Sequence, residues 1–291
     1  MQYYDPKTDV VFKKVFGYHK NLTISLLNAV LKLENTNNPI TDIEYLPSEV
    51  LPMTDGKRSS IVDVRCQDYS GDYFVVEMQM YWSADFLRRV MFNSAKVYTS
   101  LYLKGERYYK LKRVFAVNIL NDVYQTDTTE NYHRYNMSEI GNPAHVIQGI
   151  EIVCIELPKF KPCDKGQKTM LELWQKFLNS INAKTGVEEI TDDLLDNDDV
   201  KEALELCRNL SEDEQRAFDS FWDMDFLRKD RDLTVEKIGI EKGRAEGRAE
   251  GRAEGVKQKS VEMARMMKND NEPIEKIVRY SGLTKEEILT L

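Results

Sequence analysis

The sequence predicts a mixed α/β fold in its first half and a helical region behind it. Three observations lead there. The runs 61–66 (IVDVRC) and 73–80 (YFVVEMQM) are rich in β-branched and aromatic residues and flank a short polar turn, the pattern of a β-hairpin. The run 114–120 (VFAVNIL) has the length of a buried strand. Apolar residues at helical spacing precede, separate and follow these strands.

The elements follow in order. Phe12 and Phe16, with Val11 and Val15 beside them, make one apolar helical face; Thr8 or Asp9 can cap that helix and Gly17 can end it. The stretch 21–33 repeats Leu at helical spacing, and 35–39 is a turn cluster. Ile43, Tyr45 and Val50 suggest a first strand interrupted near Pro47. After the hairpin, 84–103 reads as a long amphipathic helix, and 146–157 as strand beyond the buried run. His133 and His145 fall in an irregular polar stretch and read as structural or surface residues. From 169 to about 233 the pattern is helical, with an acidic stretch over 188–199 that reads as a solvated loop.

The hairpin sets the chemistry. A three-residue hairpin loop commonly ends on a left-handed residue, usually Gly. The loop is then Tyr69-Ser70-Gly71, closed by Asp68 opposite Asp72, and residue numbers paired across it sum to 140. Asp63 is expected opposite Glu77, with Glu77 and Gln79 on the same face. Val62, Val64, Val76 and Met78 are expected on the other face, toward a core. Two facing carboxylates repel, and a hard divalent cation between them turns that repulsion into coordination. The bland alternative is the solvated face of an edge hairpin.

Composition narrows the function classes. The 291 residues carry 41 Lys and Arg against 49 Asp and Glu, a net charge of −8. The imbalance sits late in the chain: residues 1–160 hold 18 basic and 19 acidic side chains. The first half is therefore near neutral and lacks the strong basic footprint usual in DNA binders. No apolar stretch approaches the roughly 20 residues of a membrane span. The four cysteines and three histidines show no metal-ligand spacing, so a zinc site or disulfide framework is not expected and a reducing, cytoplasmic setting is.

The motif assembled here resembles a known family. Asp63, then thirteen residues, then Glu77-Met78-Gln79 resembles the PD-(D/E)XK motif in its E-x-Q form. Asp9-Val10-Val11-Phe12-Lys13 with Phe16 resembles the opening helix of the Rpn-type recombination-promoting nucleases, a family also described as transposases. Val75-Val76-Glu77-Met78-Gln79 is similar to that family's central strand. Arg89 and Tyr98 resemble its next helix, although Asn93 stands where an aromatic is commoner. The stretch 104–120 is similar to its following strand.

The resemblance implies a restriction-endonuclease-like αβββαβ core over residues 1–165, with DNA as partner and metal-dependent hydrolysis of its phosphodiester bonds. Asp63 and Glu77 would hold Mg²⁺ (or Mn²⁺), with Asp9 as an additional ligand whose alternative role is a helix cap. Gln79 departs from the commonest form, which has Lys there; an amide carries no charge and is no useful base. Lys13 or Arg89 can supply the missing cation. The alternative to an enzyme is a catalytically weak DNA-binding or assembly protein on the same fold. A second cationic stretch, 104–113, interleaves Lys and Arg with Tyr and nominates Lys110 and Arg113 as weak DNA contacts.

Behind this core the sequence divides into a helical acidic region (166–238), a repeat segment (239–256) and a small helical module (257–291). Gly243-Arg244-Ala245-Glu246 occurs three times and closes at Gly255. In a helix, residues four apart drift only about 40° per repeat, so Gly, Arg and Glu each form a stripe. Like charges then face each other at i,i+4. The segment is expected to be a linker, or a helix formed only against a second copy of the chain. In the last module Thr284 and Glu287 form a capping box. The module is similar to the helical pairs of helix-turn-helix domains, but its acidic last helix suits packing better than DNA readout.

Overall fold

The structure is a computed structural model that describes residues 3–50, 60–101, 107–162, 168–182, 187–224, 251, 255 and 258–291. The chain forms two compact units, Met1–Phe221 and Trp222–Leu291.

In the first unit, helices α1 (Asp9–Phe16) and α2 (Lys20–Leu31) lead into strands β1 (Ile43–Tyr45), β2 (Glu49–Val50), β3 (Ser60–Ile61), β4 (Val64–Asp68) and β5 (Tyr73–Gln79). Helix α3 (Phe86–Ser100), then β6 (Val114–Leu120), β7 (Tyr132–Glu139) and β8 (Asn142–Glu156) follow. The main sheet has six strands in the order β1-β4-β5-β6-β8-β7. Strands β5, β6 and β8 run parallel; the outer pairings are antiparallel. This is the mixed α/β arrangement the sequence predicts.

The hairpin turn forms as its residues dictate. Gly71 has φ +87°, a conformation that costs a Cβ-bearing residue dearly. Its N–H donates to the Asp68 carbonyl at 3.0 Å, and the Asp68 carboxylate accepts from the Ser70 hydroxyl (2.8 Å) and the Asp72 N–H (2.9 Å). The ladder pairs Gln67 with Tyr73, Cys66 with Phe74, Arg65 with Val75 and Val64 with Val76, the expected register. It stops one pair short of Asp63 and Glu77, because the chain bends at Asp63. The bend corrects one expectation: Val62 does not share the face of Val64 and Met78. It packs with Val75, Val97 and Val114 beneath α3. The Gly17 expectation is refined as well. Gly17 ends α1 in right-handed geometry, and Gly is required because a Cβ would meet the Lys13 carbonyl oxygen at 2.6 Å.

Helix α3 lies against one face of the sheet. Its buried stripe, Phe86, Val90 and Val97, packs on Val75 of β5, Val114, Ala116 and Leu120 of β6, and Cys154 of β8. Strand β6 is buried along its whole length, which explains its near-continuous apolar sequence.

The stretch around His133 and His145 is not irregular but the β7–β8 hairpin. Only Ile150–Glu156 of β8 pairs with β6, so the remainder is a two-stranded ribbon with mostly exposed side chains. Such a ribbon has no buried face to impose alternation on its sequence. His133 bonds the buried Glu156 carboxylate at 2.9 Å, and His145 pairs with Glu139 on the surface.

Residues on both sides of 165 lie in the first compact unit. Helix α4 (Met170–Ser180) buries Trp174 completely, edge-on to Phe16 of α1, and Phe177 stacks edge-on to Trp174. The ammonium of buried Lys7 bonds the carbonyls of Leu178 and Ile181 and pairs with Asp5. Helix α5 (Asp192–Leu195) and helix α6 (Asp198–Leu206) continue this layer, so part of the acidic stretch is helical, with Leu194 buried in it and Val200 buried just beyond it. Cys66, Cys154 and Cys207 are free and buried.

The second unit holds a helix over 258–269, Ile274–Ser281 and Lys285–Thr290 around Ala264, Ile277, Leu283 and Ile288. Gly282, at φ +70°, ends the middle helix, and Thr284 with Glu287 forms the expected capping box. Of the Gly-Arg-Ala-Glu repeat, Gly251 and Gly255 are helical; its other residues lie outside the described ones.

Candidate active site

Three elements bring polar side chains to the α3 side of β5, where α1, the bend before β4 and α3 converge. Asp63, at the bend, turns its carboxylate onto β5: Oδ2 accepts the Met78 N–H at 2.7 Å. From α1, Lys13 pairs with Asp9 at 2.7 Å and reaches Asp63 Oδ1 at 3.8 Å. From β5, Glu77 Oε1 accepts from Asn93 Nδ2 of α3 at 3.2 Å. Gln79 Oε1 accepts from the Arg89 guanidinium, one turn earlier on α3. Asp9, Lys13 and Asp63 thus form one set of contacts and Glu77, Gln79, Arg89 and Asn93 a second, the two meeting at the Met78 N–H of β5.

The electrostatics modify the simple picture of two facing carboxylates. Burial pushes the Asp63 carboxyl up to about 7; the Met78 N–H and Lys13 work against that rise, and the neighbouring Asp9 carboxyl adds to it. The like charge that Asp63 feels is therefore that of Asp9. Burial also raises Glu77, moderated by Asn93 and Arg89. Each carboxylate has its own cation, Lys13 for Asp63 and Arg89 for Glu77.

Lys110 and Arg113 are not brought to this site. Strands β5 and β6 are parallel, so Arg113, just before β6, lies beside Tyr73 at the opposite end of β5 from Gln79. Its Nε bonds the buried Asp72 carboxylate at 3.0 Å, and its backbone N–H bonds the other Asp72 oxygen at 3.1 Å. Lys110 sits exposed in a 3₁₀ turn at that same end.

Two residues beside β5 were not nominated as site residues from the sequence. Asn93 holds Glu77, and its spacing of four from Arg89 on one helix face was the available signal. Asn118 is the register partner of Glu77 on β6 and is buried, its amide donating to the Ala116 carbonyl at 3.2 Å. Its signal was a polar residue inside an otherwise apolar strand.

The donor set suits a hard cation. Asp9 and Asp63 are hard oxygen donors drawn together despite their repulsion, and a positive group, the Lys13 ammonium, already lies against both. Among the described residues no three His, Cys, Asp or Glu side chains form a closed metal cage. Mg²⁺ does not need one, since it takes one or two carboxylates and keeps several waters.

The mixed sheet, with α3 packed on its face, fits the restriction-endonuclease-like fold. Residues 6–231 match the family model of the PD-(D/E)XK nuclease family transposases, and the chain belongs to that family. Neither the curated proteins nor the solved structures contain a significant match to it. No described helix is long and apolar enough to cross a membrane.

Proposed function

We propose that the chain is a metal-dependent DNA endonuclease that hydrolyses phosphodiester bonds with Mg²⁺ or Mn²⁺, in a recombination- or transposition-linked role in the cytoplasm. The observation that carries this is that the Asp9–Lys13–Asp63 contacts and the Glu77–Asn93 and Gln79–Arg89 contacts meet at the end of β5, where Asp63 accepts the Met78 N–H. Asp63 and Glu77 would hold the ion, with Asp9 as a further donor. Bound there, Mg²⁺ would lower the pKa of a coordinated water and offset the negative charge developing on a phosphate. Arg89 would supply the positive charge that the motif's usual Lys provides, and Gln79 would orient a water or phosphate oxygen by hydrogen bonding. Asn93 would keep Glu77 in place.

The test is nicking of supercoiled plasmid by the full chain with Mg²⁺, Mn²⁺ or Ca²⁺. Asp63→Asn and Glu77→Gln should each abolish metal-dependent cleavage while remaining folded by circular dichroism. A variant that cuts like its parent would remove its residue from the site.

A second reading, DNA binding or assembly without efficient cleavage, is favoured by one observation: the uncharged Gln79 stands at the usual Lys position with its amide oxygen engaged by Arg89. Retention of DNA with no nicking in any of the three metals would select it.

A further inference from the structure

Helix α3 reaches the site through Arg89, which bonds Gln79, and Asn93, which bonds Glu77. Phe92 lies three residues after the first and one before the second. In a helix, residues i, i+3 and i+4 stand on one side, with Cβ atoms about 5–6 Å apart. Phe92 is therefore a direct neighbour of Arg89. At 100° per residue it points about 60° from Arg89, on the flank turned away from the core. The core side of α3 is Phe86, Val90, Ser94 and Val97, whereas Phe92 is 59 % exposed.

The charge around this ring is positive. Within α3 there are three cations, Arg88, Arg89 and Lys96, and no Asp or Glu, in a chain whose net charge is −8. Arg88 and Arg89 lie one turn before Phe92 and Lys96 one turn after it. Arg88 is exposed and meets Asp85, just outside the helix, at 3.7 Å. An exposed aromatic ring between cations suits a single nucleic-acid strand, whose phosphates follow the charges and whose bases stack on the ring. Stacking needs a base with a free face. In a continuous duplex the neighbouring pairs cover both faces, and an unpaired strand leaves them open. The cations favour such a polyanion over an apolar partner helix as the occupant of this face.

Building on the nuclease reading, we propose that Phe92 is a specificity-determining residue whose ring stacks on an unpaired base of the strand held at the carboxylates. The chain then prefers single-stranded or locally opened DNA to continuous duplex.

The test uses the full-length chain carrying Glu77→Gln, which blocks cleavage on that reading, with a labelled single-stranded oligonucleotide and the matching duplex, each titrated over a series of salt concentrations. The single strand should bind more tightly than the duplex. Adding Phe92→Ala should weaken single-strand binding roughly tenfold and leave duplex binding nearly unchanged. The salt dependence should stay as it is, because no charge is lost. Phe92→Leu keeps apolar bulk without a π face and should bind like Phe92→Ala; Phe92→Trp should bind like the parent. The melting temperature should be the same in all three, since the side chain is largely exposed. No preference for the single strand, an equal loss on both DNAs, or parent-like binding by Phe92→Leu would overturn the stacking role. Unaltered affinity in Phe92→Ala with a smaller sedimenting mass would show that a second copy covers the ring, and would overturn it too. Each of these results leaves the nuclease reading standing. If the chain with Glu77 intact neither binds nor nicks any DNA, the nuclease reading falls and the role of Phe92 with it.

Discussion

Asp63→Asn should stabilise the metal-free protein, by an amount that grows as pH rises from about 4 to about 7. The reasoning starts from a carboxyl whose ordinary value is 3.8 and which burial, with Asp9 alongside, pushes up to about 7. Holding it ionised at pH 8 therefore costs the fold up to about 4 kcal/mol, at 1.36 kcal/mol per pH unit. The sign follows from linkage. A carboxyl raised in the folded state imposes no penalty below its unfolded value; the penalty grows as pH rises toward about 7 and is constant above it. Asn keeps the Oδ acceptor for the Met78 N–H but carries no charge to bury. It loses only a 3.8 Å contact with Lys13. Partial relaxation of the parent site reduces the ceiling to an expected gain of about 1–3 kcal/mol, or roughly 3–8 °C in a domain of this size. Thermal melts in chelator at pH 4 and pH 8 measure it: the variant should exceed the parent at pH 8, and the gap should nearly close at pH 4. Adding Mg²⁺ should raise the parent's melting temperature and leave the variant's nearly unchanged, because only a group that binds the folded state stabilises it. A variant less stable than the parent in chelator at pH 8 would refute the argument and make Asp63 a structural residue.

Other expectations follow from the same contacts. Gln79→Lys, though it restores the commoner motif, places an ammonium against the Arg89 guanidinium that Gln79 now accepts from. It should lose plasmid cleavage by roughly tenfold or more, and Gln79→Lys combined with Arg89→Gln should recover it, a coupling that a double-mutant cycle reads directly. Burial works to raise the Asp193 carboxyl, but Lys168, Lys176 and Thr191 outweigh it and hold the group well below the usual aspartate range. Its stabilisation is therefore full above the unfolded value and fades as pH falls through the folded one. Asp193→Asn should cost about 1–2 kcal/mol in urea melts at pH 7, with the gap closing in strong acid. Finally, self-association through the Gly-Arg-Ala-Glu repeat predicts a higher sedimenting mass at low salt for the full chain than for one ending near Lys237. Equal monomeric masses would leave the repeat as a linker.

The sequence alone determined the hairpin and its register. Gly71 forces the turn, the turn sets the pairing, and the pairing puts Glu77 and Gln79 on one face. The helices at both ends of the site were legible for a related reason: the spacing of Phe12 and Phe16 and the apolar stripe of α3 are local signals of period 3.6. Tertiary structure decided what those local signals could not. The bend at Asp63 sends Val62 under α3 and makes Asp9, not Glu77, the like charge beside Asp63. The parallel pairing of β5 and β6 carries Arg113 away from the site and into the grip of Asp72. Trp174, more than 150 residues after Phe16, packs edge-on to it and closes the core around α1. In each case the deciding partner lies far along the chain or across a strand. Periodicity reports which face of an element is buried, and only packing selects which residues meet there.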